Sequence, residues 1–111
     1  MKLSNVPTVI FMHHFPIEVS NILFKGINLL ESNNFKELIS SYPNIIGIYC
    51  GHYHYFKQDK FASKTCWISP STAPSYSVAE DNKAKINYTK PSYSLHTFNS
   101  KNEFISKVIR L

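Results

Sequence analysis

The sequence is poor in several features that define whole classes of protein. Its 111 residues include only 3 glycines, 2 cysteines and 1 tryptophan, and no apolar run approaches the roughly 18 residues of a membrane-spanning helix. Cys50 and Cys66 are too few for a disulfide framework. The first seven residues lack the apolar stretch and the cleavage site of a signal peptide. These absences predict a cytoplasmic protein with reduced thiols and no membrane partner.

Acidic residues are also scarce, with 7 Asp and Glu against 12 Lys and Arg and a net charge of +5. A basic balance can attract nucleic acid. The lysines are scattered, however, with no run of five, so we interpret them as a solvated surface and expect no nucleic-acid partner. With 43% hydrophobic and 17% charged residues, the composition excludes disorder and predicts one globular unit over residues 1–111.

The first half of the chain predicts a strand, a helix and a second strand. Residues 8–12 and residues 45–50 are continuous apolar runs, which are typical of strands buried on both faces. Between them, Asn34 followed by Glu37 resembles a capping box that opens a short helix. Pro43 ends that helix, because the residue before proline disfavours the helical conformation. This order favours an α/β arrangement in which the two strands are parallel neighbours.

Beyond residue 60 the pattern becomes β. Residues 65–69 predict a strand, whereas residues 73–90 are polar and predict irregular structure. Residues 92–98 and 103–111 flank a polar turn at 99–102, which predicts a hairpin. His96 lies in the alternating part of that hairpin, and we expect it to have a structural role.

Histidines follow both of the buried runs. His13 comes directly after the first run, and His52 and His54 follow the second. Residues i and i+2 of an extended backbone project from the same face, and Gly51 permits a bend where the strand stops. If the strands are parallel neighbours, their carboxyl ends meet at one edge of the sheet. Because neutral imidazole is a common metal ligand, the pattern favours a metal site there over surface or structural histidines, and the second interpretation stays open.

These motifs together resemble a known family. His-His-Phe-Pro at 13–16, then a short helix, a second buried strand and Gly-His-Tyr-His at 51–54, is similar to the last two metal motifs of the calcineurin-like metallophosphoesterases. The likeness is greatest to bacterial class III 3',5'-cyclic nucleotide phosphodiesterases and extends to residues 69–72 and 91–96. It implies the C-terminal half of a four-layer α/β/β/α sandwich, mostly one mixed sheet with one or two helices.

The resemblance also implies a chemistry for each motif. His13 and His52 would bind one divalent ion and His54 the other, the ions being Mn, Fe or Zn. A water between the two ions would attack a small-molecule phosphodiester such as a cyclic nucleotide, while both ions stabilise the phosphoryl oxygens. His14 is expected beside the site as a catalytic residue rather than a ligand.

Ser71 and Thr72 have two open interpretations. Following Pro70, their hydroxyls either cap a turn or bind the phosphate of the substrate.

The carboxylates of the family are missing from this sequence. The family's other metal motifs are Asp-x-His, a bridging Asp and Asn-His, but here the only aspartates are Asp59 and Asp81, and no Asn precedes a His. Three neutral imidazoles cannot offset the repulsion between two divalent ions. We therefore expect at most one weakly bound ion in this chain alone. We expect a truncated or split form that is inactive alone, or a piece of a larger protein, whose partner is a separate N-terminal half or a second copy.

A non-catalytic alternative also stays open. Cys50, His52, His54 and Cys66 could form a Cys2His2 structural zinc site. The spacing argues against it, since Cys-x-His-x-His lacks the usual two to four residues between paired ligands. Buried cysteines more often act as small hydrophobic residues.

Overall fold

A computed structural model gives the fold of residues 5–19, 29–81, 83–101 and 103–111. Their helix and strands are β1 (Thr8–Met12), α1 (Ser32–Ser40), β2 (Ile45–Cys50), β3 (Lys57–Phe61), β4 (Lys64–Ile68), β5 (Ser75–Val78), β6 (Ala84–Asn87), β7 (Ser92–Phe98) and β8 (Phe104–Arg110). The fold is a small α/β domain, which agrees with the predicted fold class. No helix within these ranges is long and apolar enough to cross a membrane.

A four-stranded mixed sheet positions the candidate site. Its order is β1-β2-β4-β3, with β1, β2 and β4 parallel and β3 antiparallel to β4. Both apolar runs form strands with the predicted bounds, and the predicted parallel pairing is confirmed. The β1–β2 register ends at Met12 opposite Cys50. His13 and Gly51 therefore leave the sheet side by side, and the Gly51 N–H donates to the His13 carbonyl at 3.1 Å.

The connecting helix exists, but its predicted start is wrong. It begins at Ser32 after Glu31, whose left-handed backbone (φ 58°) turns the chain into the helix without a side-chain cap. Asn34 consequently lies inside the helix and cannot open a capping box. Ile39 is buried beneath the sheet, whereas Leu38 is exposed.

The two faces of the sheet are covered unequally. On one side lies the hydrophobic core, whose fully buried members include Phe15, Ile48 and Ile68. On the other side Phe11 of β1 is 64% exposed. The prediction that β1 is buried on both faces is therefore wrong for the described chain, because the described residues cover this face of the sheet only in part. Strand β2, with a neighbour on each side, is buried along nearly its whole length.

Part of the second face is covered by the β7–β8 hairpin. This hairpin agrees with its prediction, running from Ser92 opposite Arg110 to Phe98 opposite Phe104; position 102 of the predicted turn lies outside the described residues. The rings of His96 and Phe104 each lie 4.7 Å from the ring of Tyr49. Burial lowers the pKa of His96. His96 therefore packs among aromatic rings with its neutral form favoured, which agrees with the structural role predicted for it.

The second half of the chain holds more strand than its sequence indicates. The strand predicted at 65–69 is β4, displaced by one residue. Strand β3, which is polar, was not predicted. The prediction of irregular structure over 73–90 is wrong, because β5 and β6 pair antiparallel in a second hairpin.

Candidate metal centre

His13 and His52 face each other across the ends of β1 and β2. The Nε2 atom of His13 lies 3.1 Å from the Nδ1 atom of His52. With metal–nitrogen bonds of about 2.1 Å, two neighbouring ligand nitrogens lie about 3.0 to 3.4 Å apart. The contact is a hydrogen bond in which one ring nitrogen donates to the other, and its length also lies in the range of a ligand pair on a single ion.

His14 joins this pair to form a histidine cluster of His13, His14 and His52. The ring centroids of His14 and His52 lie 4.5 Å apart, those of His13 and His52 4.9 Å, and those of His13 and His14 5.2 Å. Burial, followed by the charges of the neighbouring histidines, lowers the pKa of His52. This favours the neutral imidazole, which is the form that binds metal.

His54 is directed elsewhere, toward the residues that lead into β5. Its Nδ1 lies 2.9 Å from the carbonyl oxygen of Pro74. A carbonyl can only accept, so this contact requires the proton on Nδ1 and leaves the Nε2 lone pair available. Metal-binding histidines are oriented in the same way, with the second ring nitrogen donating to a carbonyl or carboxylate. The hydroxyl of Ser75 also donates to the His54 carbonyl at 3.1 Å.

The backbone explains why His52 and His54 point in different directions. Strand β2 ends at Cys50, and the backbones of His52 (φ 70°) and His54 (φ 67°) are both left-handed. Such values are uncommon for residues with side chains and are concentrated at functional sites. The prediction that both imidazoles project from one face of an extended strand is therefore wrong. The expected bend at Gly51 falls instead on the histidines.

The ring nitrogens of His13 and His52 fit two coordination positions of a metal ion, but not a complete site. Among the residues with described positions, no three His, Cys, Asp or Glu side chains are arranged to hold one ion together. The His13–His52 pair fits two positions of an ion that favours imidazole, such as zinc or iron. A two-ion centre is not completed by these residues, because it needs a carboxylate between the ions.

The structural zinc alternative is wrong for the described chain. Cys50 and Cys66 are free thiols buried in the core, 5% and 0% exposed. A hydrogen bond to Cys66, together with burial, raises the pKa of the Cys50 thiol and keeps it protonated. His52 faces His13 and His54 faces Pro74, so the four residues do not converge on an ion.

Ser71 and Thr72 differ in their surroundings. The Ser71 Oγ accepts the Ala73 N–H at 2.9 Å, which is a turn contact. Ser71 also lines a cavity of about 530 Å³ beside His54. Thr72 is exposed and lies outside that lining. Both roles remain possible for Ser71, whereas the geometry gives no contact role to Thr72.

The residues that hold His54 were not predicted from the sequence. Pro74 acts through its carbonyl and Ser75 through its hydroxyl, while Tyr55 Oη donates to the carbonyl of Tyr76 at 2.5 Å. A backbone acceptor has no residue-type signature. The only signal was the Pro- and Ser-rich stretch at 69–75, which indicates a turn but not its contact.

Two curated proteins share sequence with this chain, and no family model matches it. The chain is 26% identical over 91 residues, 81% of its length, to glycerophosphodiester phosphodiesterase GpdQ of Enterobacter lignolyticus. It is 25% identical over 104 residues, 94% of its length, to the 3',5'-cyclic adenosine monophosphate phosphodiesterase CpdA of Vibrio vulnificus. The alignments cover 33% and 38% of those proteins, so the chain spans about a third of their length.

Proposed function

We propose that this chain, a relative of the metallophosphoesterase phosphodiesterases, supplies the imidazole-bearing C-terminal part of a metal-dependent phosphodiesterase site. The predicted resemblance to that family is confirmed by both relatives. The observation that carries the proposal is the pair of nitrogens on His13 and His52, 3.1 Å apart at the carboxyl edge of the parallel strands. Open α/β sheets characteristically bind their ligands at this edge.

Each histidine has a proposed role. His13 and His52 bind one divalent ion, and His54 offers its Nε2 to the second. Manganese, iron or zinc bound at these positions would supply an activated water and would neutralise charge on the phosphoryl oxygens. His14, whose ring contacts that of His52, lies beside the site as a catalytic residue and is not a ligand. The hydrogen bond to Pro74 holds His54 in the tautomer this role requires.

The substrate class is proposed from the relatives. One relative is named for glycerophosphodiesters and the other for a cyclic nucleotide, so we propose a small-molecule phosphodiester.

The carboxylates must come from outside the described residues, from a separate N-terminal half or from the rest of a longer polypeptide. We propose that this missing part packs on the open sheet face around Phe11 and completes the four-layer sandwich.

Cobalt(II) titration of the metal-free chain, followed by visible absorption, tests the ligand assignment. We expect one weakly bound ion, and we expect His13→Ala and His52→Ala each to lower its affinity at least about tenfold. His14→Ala is the matched comparison, because it removes a neighbouring imidazole that we do not assign as a ligand. Loss of binding in His14→Ala but not in His13→Ala would exchange their roles, and unchanged binding in all three would refute the site.

Hydrolysis of bis(p-nitrophenyl) phosphate with added manganese tests whether the site is complete. The isolated 111-residue chain is expected to show no hydrolysis above the metal-only background, since no bridging carboxylate is available. Activity that disappears in His52→Ala would contradict the incomplete site while supporting the reaction class.

A further inference from the structure

A second feature lies next to His54 and is not explained by metal binding. It is a cavity of about 530 Å³. Its lining includes two cationic side chains and several hydroxyl groups, belonging to Lys90, Arg110, Ser71, Ser75 and Ser92. No Asp or Glu is among the described residues that line it. Positive charge is therefore concentrated there without an acidic partner in the lining.

The fold fixes the positions of these groups through three separate segments. The Ser92 N–H donates to the Ser71 carbonyl at 3.1 Å, which ties the loop after β4 to the start of β7. Ser92 pairs with Arg110 across the β7–β8 hairpin. Its hydroxyl donates to the carbonyl of Lys90 at 3.1 Å. These contacts bring the backbones of Lys90, Arg110 and Ser71 together, and the side chains of Lys90 and Arg110 are exposed.

The hydrogen-bond directions leave donors available to a ligand. Ser71 Oγ accepts the Ala73 N–H, so its own hydrogen is available to an acceptor in the cavity. The hydroxyl protons of Ser75 and Ser92 are used by the carbonyls of His54 and Lys90. Ser71, Lys90 and Arg110 therefore offer donors to the cavity, and the exposed Thr89 hydroxyl also lines it. Such a donor set suits a phosphate group, because the planar guanidinium fork matches phosphate geometry and the ammonium adds a compact charge.

We propose that this cavity, termed the anion pocket, binds a doubly charged phosphate group through Lys90, Arg110 and the Ser71 hydroxyl. His54 itself lines the pocket, and we propose that the anion bound there is a second group beside a phosphodiester held at the histidines. Insofar as it concerns substrate choice, the inference rests on the proposed function. If the histidines bind a phosphodiester, the anion pocket selects phosphodiesters that carry a further phosphate on one ester arm, in preference to those with an uncharged arm.

The test is phosphate binding by the metal-free 111-residue chain, measured by titration calorimetry at low ionic strength and mildly alkaline pH. The probes are inorganic phosphate and glycerol 3-phosphate, with dimethyl phosphate as a monoanionic comparison. We expect both dianions to bind more tightly than dimethyl phosphate. We also expect Lys90→Gln combined with Arg110→Gln to lower the affinity for both dianions at least about tenfold.

A charge-matched control uses Lys101→Gln combined with Lys107→Gln, which removes two charges from the same hairpin outside the pocket lining. It is expected to retain the affinity within about twofold, because exposed charges act weakly at a distance. Lys90→Arg is expected to retain binding, and circular dichroism checks that each variant is folded. Equal losses in the two double variants, or no phosphate binding by the parent chain, would overturn the anion pocket. Since the titration contains no metal, a failed cobalt titration alongside normal phosphate binding would refute the proposed function alone.

Discussion

His52 and His54 lie two residues apart, yet different parts of the molecule hold them. The position of His52 is set by the end of β2 and by His13 at the end of the neighbouring strand. His54 is set by residues about twenty positions later, through the Pro74 carbonyl and the Ser75 hydroxyl. One imidazole therefore depends on the core sheet, and the other depends on the segment that opens the β5–β6 hairpin.

This difference determines which histidines keep their positions when a residue elsewhere in the chain is substituted. A contact between the ends of paired strands has the support of the buried core. The contacts of His54 depend instead on Pro74 and on Ser75 at the start of β5, which pairs with β6 and not with the four-stranded sheet. Substitutions in the core should consequently disturb the whole site, whereas substitutions in the Pro74–Ser75 segment should disturb His54 and leave the His13–His52 pair in place.

Ile48→Ala is expected to have the largest effect. Ile48 is fully buried in the middle of β2, and large-to-small changes in a core cost about 2 to 5 kcal/mol. Urea unfolding should show this loss of free energy, together with loss of the His13–His52 contact. Leu38→Ala, on the exposed side of α1, is the control and should cost less than about 1 kcal/mol. A similar cost for both variants would contradict the dominance of the sheet.

Ser75→Ala should separate the two imidazoles. Ser75 is 2% exposed, and its loss leaves the His54 carbonyl without this donor, at a cost of about 1 kcal/mol. Nitrogen-15 NMR of the imidazoles should show a change at His54 and none at His13 and His52. Ser77→Ala, in the same strand, is the matched control. Changes of equal size at all three histidines would show that one part of the structure holds them together.

His96 marks the contrast between a packing histidine and the histidines of the site. Because burial lowers its pKa, the unfolded chain takes up this proton at a higher pH than the folded chain. Its contribution to stability is complete above the unfolded pKa of about 6.5 and is lost as the pH falls through the folded value. His96→Asn should therefore flatten the pH dependence of urea unfolding below neutrality. An unchanged or steeper dependence would contradict the neutral packing role.

Gly51→Ala is expected to have the smallest effect. An added Cβ would meet only the His13 ring, at 3.6 Å from Nδ1, which is ordinary contact. Cobalt affinity should therefore stay within about twofold of the parent value. Gly47→Ala is the contrasting variant, since its Cβ would lie 2.7 Å from the Tyr49 ring and should destabilise the sheet. A large loss on Gly51→Ala would return the critical bend to the glycine.

The parts predicted from sequence are those set by local apolar pattern. Strands β1, β2 and β7 have their expected bounds because each is an apolar or alternating run with clear ends. Strands β5 and β6 were missed because their residues are polar and their support comes from distant side chains. The Tyr55 hydroxyl donates to the Tyr76 carbonyl and accepts from the Asn87 amide.

The candidate site also has a part that could be predicted from the sequence and a part that could not. The meeting of His13 with His52 follows from parallel strands that end together, which sequence order implies. The direction of His54 follows from left-handed backbone angles at two histidines. Histidine is enriched among residues with side chains that adopt those angles, but residue type alone does not locate them, since glycine and asparagine are more usual occupants of that conformation.

The most direct test of the central claim is nitrogen-15 NMR of the five imidazoles before and after zinc is added to the metal-free chain. The His13–His52 geometry predicts that the ring nitrogens of these two residues change together at the same zinc concentration, while His96 does not change. His54 should carry its proton on Nδ1 before zinc is added. Zinc-dependent changes confined to His14 or His96, or none at His13 and His52, would contradict the assignment of these two histidines to one ion.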